Sequence, residues 1–194
     1  MKKLLIITIL SMILFSCKKE DMDSQSSGGG TSQNCDNVVC LNNGYCILGD
    51  CICPDGWSGD NCGQEVTPSS MRWYTLKVLS HPATDNGAGW DLTSTADIYI
   101  EVSLNGSVIY SSPTYYPNAL PGNTYTFTPD NYIYIANPTA TYIVKLYDLD
   151  DIGLDDYIGG YTFTPYVTGS SFPSTQIIGA GNALTFELVN NFYW

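Results

Sequence analysis

The sequence is short of positive charge. It has 7 Lys and Arg against 19 Asp and Glu, for a formal net charge of -12. That balance excludes nucleic acid as a partner, because neutralising a phosphate backbone takes clustered Lys and Arg. It also excludes unaided adhesion to an anionic membrane. Four of the cations, Lys2, Lys3, Lys18 and Lys19, stand near the N-terminus, so the remainder holds only Arg72, Lys77 and Lys145. An acidic body of this kind attracts cations. Histidine is nearly missing too. His81, beside Pro82, is the only one and reads as a loop residue, so Ser-His or Cys-His nucleophilic chemistry has little support. No segment keeps a helical period, and no cysteine follows Cys62.

What is present falls into four stretches. Lys2 and Lys3 precede an apolar run from Leu4 to Phe15, interrupted by Thr8 and Ser11. The run is too short to span a bilayer and reads as a signal peptide, residues 1–16. It closes on Leu14-Phe15-Ser16-Cys17, which resembles the lipobox of bacterial lipoproteins, although Phe15 is bulkier than the usual residue. The resemblance implies cleavage before Cys17, lipidation of its thiol and anchoring in the bacterial envelope. The outer membrane is the expected address. Lys18-Lys19-Glu20-Asp21 resembles the surface-export signal of some Gram-negative lipoproteins, and reads equally well as a solvated charge run. Ser- and Gly-rich sequence from Ser24 to Ser32 completes a tether, residues 17–34, with a mean reach of about 20–25 Å.

Six cysteines then crowd between Cys35 and Cys62. A dense, even set on an exported chain indicates disulfides, and a segment this small needs them. Six cysteines allow fifteen pairings, among which spacing alone does not choose. Cys51-Ile52-Cys53, Gly56-Trp57, Gly59 and Cys62 resemble the end of an EGF-like domain. Asn42-Asn43-Gly44-Tyr45-Cys46 resembles its middle, where Asn-Gly favours a tight turn. The resemblance implies an EGF-like module over residues 35–62 with the pairs Cys35–Cys46, Cys40–Cys51 and Cys53–Cys62. Thr31-Ser32-Gln33-Asn34 lacks the acids of the calcium-binding subtype, so calcium is not expected in this module. A rigid spacer and a protein-recognition element are both open roles.

Residues 65–194 alternate apolar and polar positions over short runs, as in Trp73 to Leu79 and Ile98 to Leu104. Tyr142 to Tyr147 and Leu184 to Leu188 read as further strands, and Asn105-Gly106 marks a hairpin. About eight strands suit an antiparallel sandwich. Fifteen tyrosines in the chain suit half-buried strand faces, an aromatic ligand platform being the alternative. The fold class expected is all-β: a small disulfide-rich EGF-like module, then an antiparallel eight-stranded β-sandwich.

Two acidic segments stand at strand ends. Asp91 and Asp97 lie six apart, and the second leads into Ile98-Tyr99-Ile100. Asp148-x-Asp150 is followed by Asp156-Tyr157-Ile158-Gly159. Together they resemble the calcium loops of C2 domains. The resemblance implies calcium held by Asp91, Asp97, Asp148, Asp150 and Asp156, with the backbone carbonyls of Trp90 and Leu149. Hard oxygen donors of this type suit calcium, and five carboxylates in one place would repel one another until a cation joined them. Polar turns also favour aspartate, but turn preference does not account for both spacings. Leu92 and Ile152 match positions where some C2 relatives insert apolar tips into lipid; ordinary loop packing is the other reading. Val102 to Tyr110 contains no Lys or Arg, so phosphoinositide recognition is not implied.

The expected function is therefore that of a noncatalytic surface lipoprotein. Its C2-like loops would make calcium-dependent contacts with phospholipid, protein or glycan. The alternative is a structural or accessory envelope lipoprotein in which calcium only stabilises the loops. A carboxylate-based hydrolase is the remaining enzymatic idea, and an enzyme is not expected.

Overall fold

The computed structural model describes residues 35–91, 94–150 and 152–194. The signal peptide, Cys17, the tether and Leu92 lie outside the described residues. The fold is all-β. Four short strands form the cysteine-rich part: β1 (Tyr45–Ile47) pairs with β2 (Asp50–Ile52), and β3 (Trp57–Ser58) with β4 (Gln64–Glu65). The disulfides are Cys35–Cys46, Cys40–Cys51 and Cys53–Cys62, the pairing implied by the EGF-like pattern. The turn before β1 differs from the Asn43-Gly44 expectation. Asn42 and Asn43 take the positive φ values, 50° and 64°, and Gly44 N–H closes on the Leu41 carbonyl. Gly44 is needed for space instead, since a Cβ there would lie 2.6 Å from Cys62 Sγ.

The rest of the described chain is a sandwich. Its strands are β5 (Ser70–Ser80), β6 (Ile98–Leu104), β7 (Ser107–Ser111), β8 (Tyr125–Phe127), β9 (Ile133–Ile135), β10 (Tyr142–Asp148), β11 (Asp156–Phe163), β12 (Thr175–Ile178) and β13 (Thr185–Tyr193). One sheet has the order β11-β10-β6-β7; the other runs β12-β13-β5-β8, with β9 also on β5. All the pairings are antiparallel. Eight strand positions are thus filled by nine strands. The long β5 pairs through Leu76–Val78 with β8 and through Met71–Trp73 with β9. Between them Pro129 lacks the N–H that an unbroken edge strand would use.

Alternation places the core. Ile98, Ile100 and Val102 of β6 and Tyr142, Val144 and Leu146 of β10 face inward. They join Trp73, Leu76 and Val78 of β5 and Phe186 and Leu188 of β13 in one buried cluster. Trp73 stacks on Phe163 and meets the edge of Tyr142 across the sandwich. Full burial of such side chains stabilises by about 1.5–3 kcal/mol each. The β6–β7 hairpin turns on Asn105 and Gly106, both at positive φ, the conformation a two-residue turn requires.

The cysteine-rich part is packed onto the sandwich. The Glu65 carboxylate at the end of β4 accepts hydrogen bonds from Tyr166 Oη, Gly169 N–H and Ser171 N–H. Trp194 Nε1 donates to the Val66 carbonyl, and Val66 N–H to that of Gly56. Phe172 sits against Trp57, Tyr166, Phe192 and Trp194. A Cβ on Gly56 would come within 2.6 Å of Phe172 and Trp194, so glycine permits this approach. The expected domain start at residue 65 falls inside β4, on the residue that carries the junction.

Removing the Glu65 carboxylate strands two backbone donors and a phenol. Glu65→Ala is expected to lower stability by about 1–3 kcal/mol. The measurement is the urea midpoint of the full chain with m unchanged; an unmoved midpoint would leave the junction without energetic weight.

Candidate metal centre

The register of two strand pairs sets the site. β10 places Asp148 opposite Ile98 of β6 on one side and Asp156 of β11 on the other. The segment entering β6 and the segment leaving β10 therefore meet at one edge of the sandwich. Backbone contacts tie them together: Leu149 N–H donates to the Asp97 carbonyl, 2.8 Å, and Asp97 N–H donates to Asp148 Oδ1, 2.5 Å.

Asp148 is fully buried. Its Oδ1 is satisfied by Asp97 N–H, while its Oδ2 is buried without a partner among the described residues. Burial pushes its carboxyl up to about 6; the Asp97 N–H works against the rise, and the carboxylates of Asp91, Asp150 and Asp97 add to it. Asp150 is raised as well, first by desolvation and then by Asp156, Asp91 and Asp155. The five aspartates picked out by spacing thus act on one another electrostatically.

Two of the others are also held locally. Asp91 Oδ2 accepts from Ser94 Oγ at 2.6 Å, and Asp97 Oδ1 from Asn118 N–H at 2.7 Å. Asp156 opens β11 and is exposed. Trp90 is half-buried against the core and donates through Nε1 to the Pro82 carbonyl. Among the described residues no three Asp, Glu, His or Cys side chains are grouped closely enough to hold a metal ion. The carboxylates share an edge, and those of Asp91, Asp97 and Asp148 are turned to backbone and hydroxyl donors.

The residues present nevertheless fit a hard cation in one respect. An unpartnered buried carboxylate oxygen, pressed by three neighbouring carboxylates, is the group whose cost such an ion would remove. The fit covers the donor chemistry of Asp148, Asp91, Asp97 and Asp150.

Three participants were not legible from spacing. Asp155, passed over in favour of Asp156, accepts Tyr99 Oη at 2.7 Å and Asp150 N–H at 3.2 Å. Burial, followed by that hydrogen bond to Asp155, raises the Tyr99 phenol. Leu154 stands near Ile152 at the loop tip, and the two are 90% and 93% exposed. His81 lies in the loop after β5, as expected, but is buried there with Nδ1 on the Pro82 carbonyl, and desolvation lowers its basicity. The six cysteines of the described part are all in disulfides.

Residues 32–62 match the EGF-like domain family. A segment of 85 residues, 40% of this chain, is 35% identical to protein eyes shut of Drosophila melanogaster. The match spans 4% of that protein's length. Among solved structures, a C2 domain is similar over 64% of this chain and 98% of its own, at 15% identity and a TM-score of 0.45. A C2 domain of plant Extended Synaptotagmin 1 is similar over 66% of this chain and 99% of its own, at 14% identity and a TM-score of 0.40. Human GIVD cytosolic phospholipase A2 with methyl gamma-linolenyl fluorophosphonate is similar over 66% of this chain and 18% of that one, at 15% identity and a TM-score of 0.41.

The raised Asp148 carboxyl has a pH signature. Its folded value, about 6, lies above the unfolded value of about 3.9. The folded state therefore holds this proton more tightly. That contribution is fully present below pH ~4 and is lost as pH rises through about 6. With chelator present, the melting temperature attributable to this group is expected to fall across that window. Asp148→Asn, which keeps an oxygen for Asp97 N–H and carries no charge, should flatten the fall and raise the melting temperature at pH 7. Calorimetric scans of both chains at pH 4, 5, 6 and 7 check it. An Asn variant less stable than wild type at pH 7 contradicts this account of Asp148.

Proposed function

We propose that this chain is a noncatalytic lipoprotein of the bacterial envelope that docks on phospholipid surfaces in a calcium-dependent way. The observation that carries the reading is the buried Asp148 Oδ2, without a partner among the described residues and set among the carboxylates of Asp91, Asp97 and Asp150, at the base of the loop that displays Ile152 and Leu154. Asp91, Asp97, Asp148, Asp150 and Asp156 would hold the ion, with the carbonyls of Trp90 and Leu149. Bound calcium supplies positive charge where the chain otherwise repels phosphate. Ile152 and Leu154 add apolar contact beside it, and each side chain fully buried is worth about 1.5–3 kcal/mol. Leu92, the other tip residue of the sequence reading, belongs to the same proposed contact.

Anchoring through Cys17 rests on the lipobox-like Leu14-Phe15-Ser16-Cys17. Two or more acyl chains suffice for stable attachment. The noncatalytic part of the reading rests on the scarcity of nucleophile–base pairs: His81 is buried, and the six cysteines of the described residues are in disulfides. A second reading, calcium as a staple only, is favoured by the Asp97–Asp148 and Asp97–Leu149 hydrogen bonds, which already join the two loops a cation would fasten.

Calcium is expected to raise the melting temperature of the full chain. Binding to the native state alone adds roughly 2.7 kcal/mol at a hundredfold excess over Kd. Asp148→Asn with Asp150→Asn should abolish the rise. Ile152→Ser with Leu154→Ser should keep the rise yet weaken calcium-dependent flotation with phosphatidylcholine–phosphatidylserine vesicles by about tenfold or more. Because acylation at Cys17 and the apolar run from Leu4 to Phe15 would each bring the chain to vesicles, the flotation comparison is made on residues 35–194. A thermal rise without calcium-dependent flotation selects the staple reading. Indifference of the melting point to millimolar calcium sinks both.

Processing is tested separately. Cys17→Ser is expected to block maturation at residue 17 and to move the protein out of the detergent phase. Unchanged maturation and partitioning would remove the anchor from the proposal.

A further inference from the structure

The outer face of the β11-β10-β6-β7 sheet has a row of tyrosines that the acidic edge does not explain. Tyr147 of β10 pairs with Tyr99 of β6 and with Tyr157 of β11. The Tyr99 and Tyr147 rings are stacked, 5.3 Å apart at 16°, and Tyr157 tilts onto Tyr147 at 5.5 Å. Gly160 makes room for the last of these, because a Cβ there would lie 2.9 Å from Tyr157 Oη and 2.6 Å from the Val144 carbonyl. Cross-strand aromatic pairs stabilise a sheet by themselves, which accounts for the row.

It does not account for what lies on the other side of Tyr99. Away from Tyr147, toward β7, Tyr99 borders a cleft of about 310 Å³, at the small end of the range for ligand sites. The cleft is lined by Glu101, Ser111, Ser112, Thr114, Tyr115 and Asp155, among others, and no Lys, Arg or His is present in its wall. Lys145 stands opposite Glu101 in the register, but its ammonium lies 3.4 Å from Tyr147 Oη. The ion pair found among the described residues is Lys77–Glu187, so Glu101 faces the cleft as an acceptor without a cation. Asp155 is fixed by Tyr99 Oη and Asp150 N–H.

An aromatic wall, two carboxylates and three aliphatic hydroxyls select a ligand class. An anionic ligand meets Glu101 and Asp155 with no compensating charge. A purely apolar one would desolvate both carboxylates without hydrogen-bonding them. A broad protein partner needs roughly 800 Å² of face on each side, which a narrow, polar-floored cleft does not offer. A sugar ring satisfies all the parts at once. Its C–H face lies against the electron-rich face of a tyrosine. Its hydroxyls donate to carboxylates in charge-assisted hydrogen bonds and exchange bonds with Ser and Thr hydroxyls.

We propose that the cleft lined by Tyr99 and Tyr115 holds one ring of a neutral glycan, the ring face on Tyr99 and the hydroxyls on Glu101 and Asp155. The stack of Tyr147 behind Tyr99 and the hydrogen bond from Tyr99 to Asp155 fix the aromatic wall before any ligand arrives. Little side-chain freedom is then left to lose on binding. The cleft adjoins the acidic edge through Asp155 and Leu149 but takes its ligand without calcium.

The test is affinity electrophoresis of the full chain in detergent and chelator. The native gels contain a soluble β-glucan, a xyloglucan, a galactomannan or, as the anionic control, polygalacturonate. Retardation by at least one neutral polymer and not by polygalacturonate is expected. Tyr115→Ala, at an exposed position, and Glu101→Gln, a near-isosteric change at a half-buried one, should each weaken it about tenfold or more, with melting temperatures near that of wild type. No retardation in any neutral gel overturns the proposal. So does retardation that both variants retain, or retardation by polygalacturonate equal to that by the neutral polymers. Because chelator is present throughout, failure here leaves the calcium-dependent reading standing, and failure of that reading leaves this one standing.

Discussion

A carboxylate placed where water cannot reach it governs the acidic edge of this molecule. Asp148 ends a strand whose inward residues form the core, and the alternation that buries Val144 and Leu146 also buries Asp148. Among the described residues only one of its oxygens finds a donor. The neighbouring strand end supplies that donor through its backbone, so the fold has joined two loops at the cost of an unsatisfied acceptor. Asp91, Asp97 and Asp150 compound that cost by adding like charge. A group with this balance destabilises the ligand-free protein and rewards any partner that brings positive charge. The same hydrogen-bonded strand ends carry Ile152 and Leu154 outward. Electrostatic demand and apolar display therefore come from a single packing decision at the end of β10.

Much of this was legible from local pattern. Period-two alternation marked β6 and β10 because their two faces meet different surroundings. Asn105-Gly106 marked the hairpin because few other dipeptides accept two positive φ values. The disulfides followed an EGF-like spacing. The short elements were harder. β9 and β12 span three and four residues, too few for a period to stand out, and β9 exists because the long β5 offers an edge beyond the break at Pro129. The turn at Asn42-Asn43 was misassigned to Asn43-Gly44 because the strongest local signal is also a packing requirement, and sequence does not separate the two.

The site divides along the same line. Spacing brought out Asp91, Asp97, Asp148, Asp150 and Asp156, whose register follows from the strands they flank. It did not bring out Asp155, whose role depends on a phenol 56 positions away on β6. Nor did it show that the side chains would be satisfied by Asn118 N–H and Ser94 Oγ instead of converging. Such contacts arise from three-dimensional neighbours with no fixed sequence offset. Leu154 was overlooked because an isolated leucine in a loop carries no periodic signature.

The junction at Glu65 has a mechanical consequence. A module closed by three disulfides has little slack to pay out, so a pull entering at Cys35 passes nearly undiminished to β4 and then to β5. There β5 lies antiparallel between β13 and the broken β8–β9 edge, and tension along it acts as shear on many hydrogen bonds at once. The Glu65 carboxylate and the aromatic packing around Phe172 lie upstream of that point. Load on the chain therefore reaches that carboxylate and those rings before it reaches the sheets and the acidic edge.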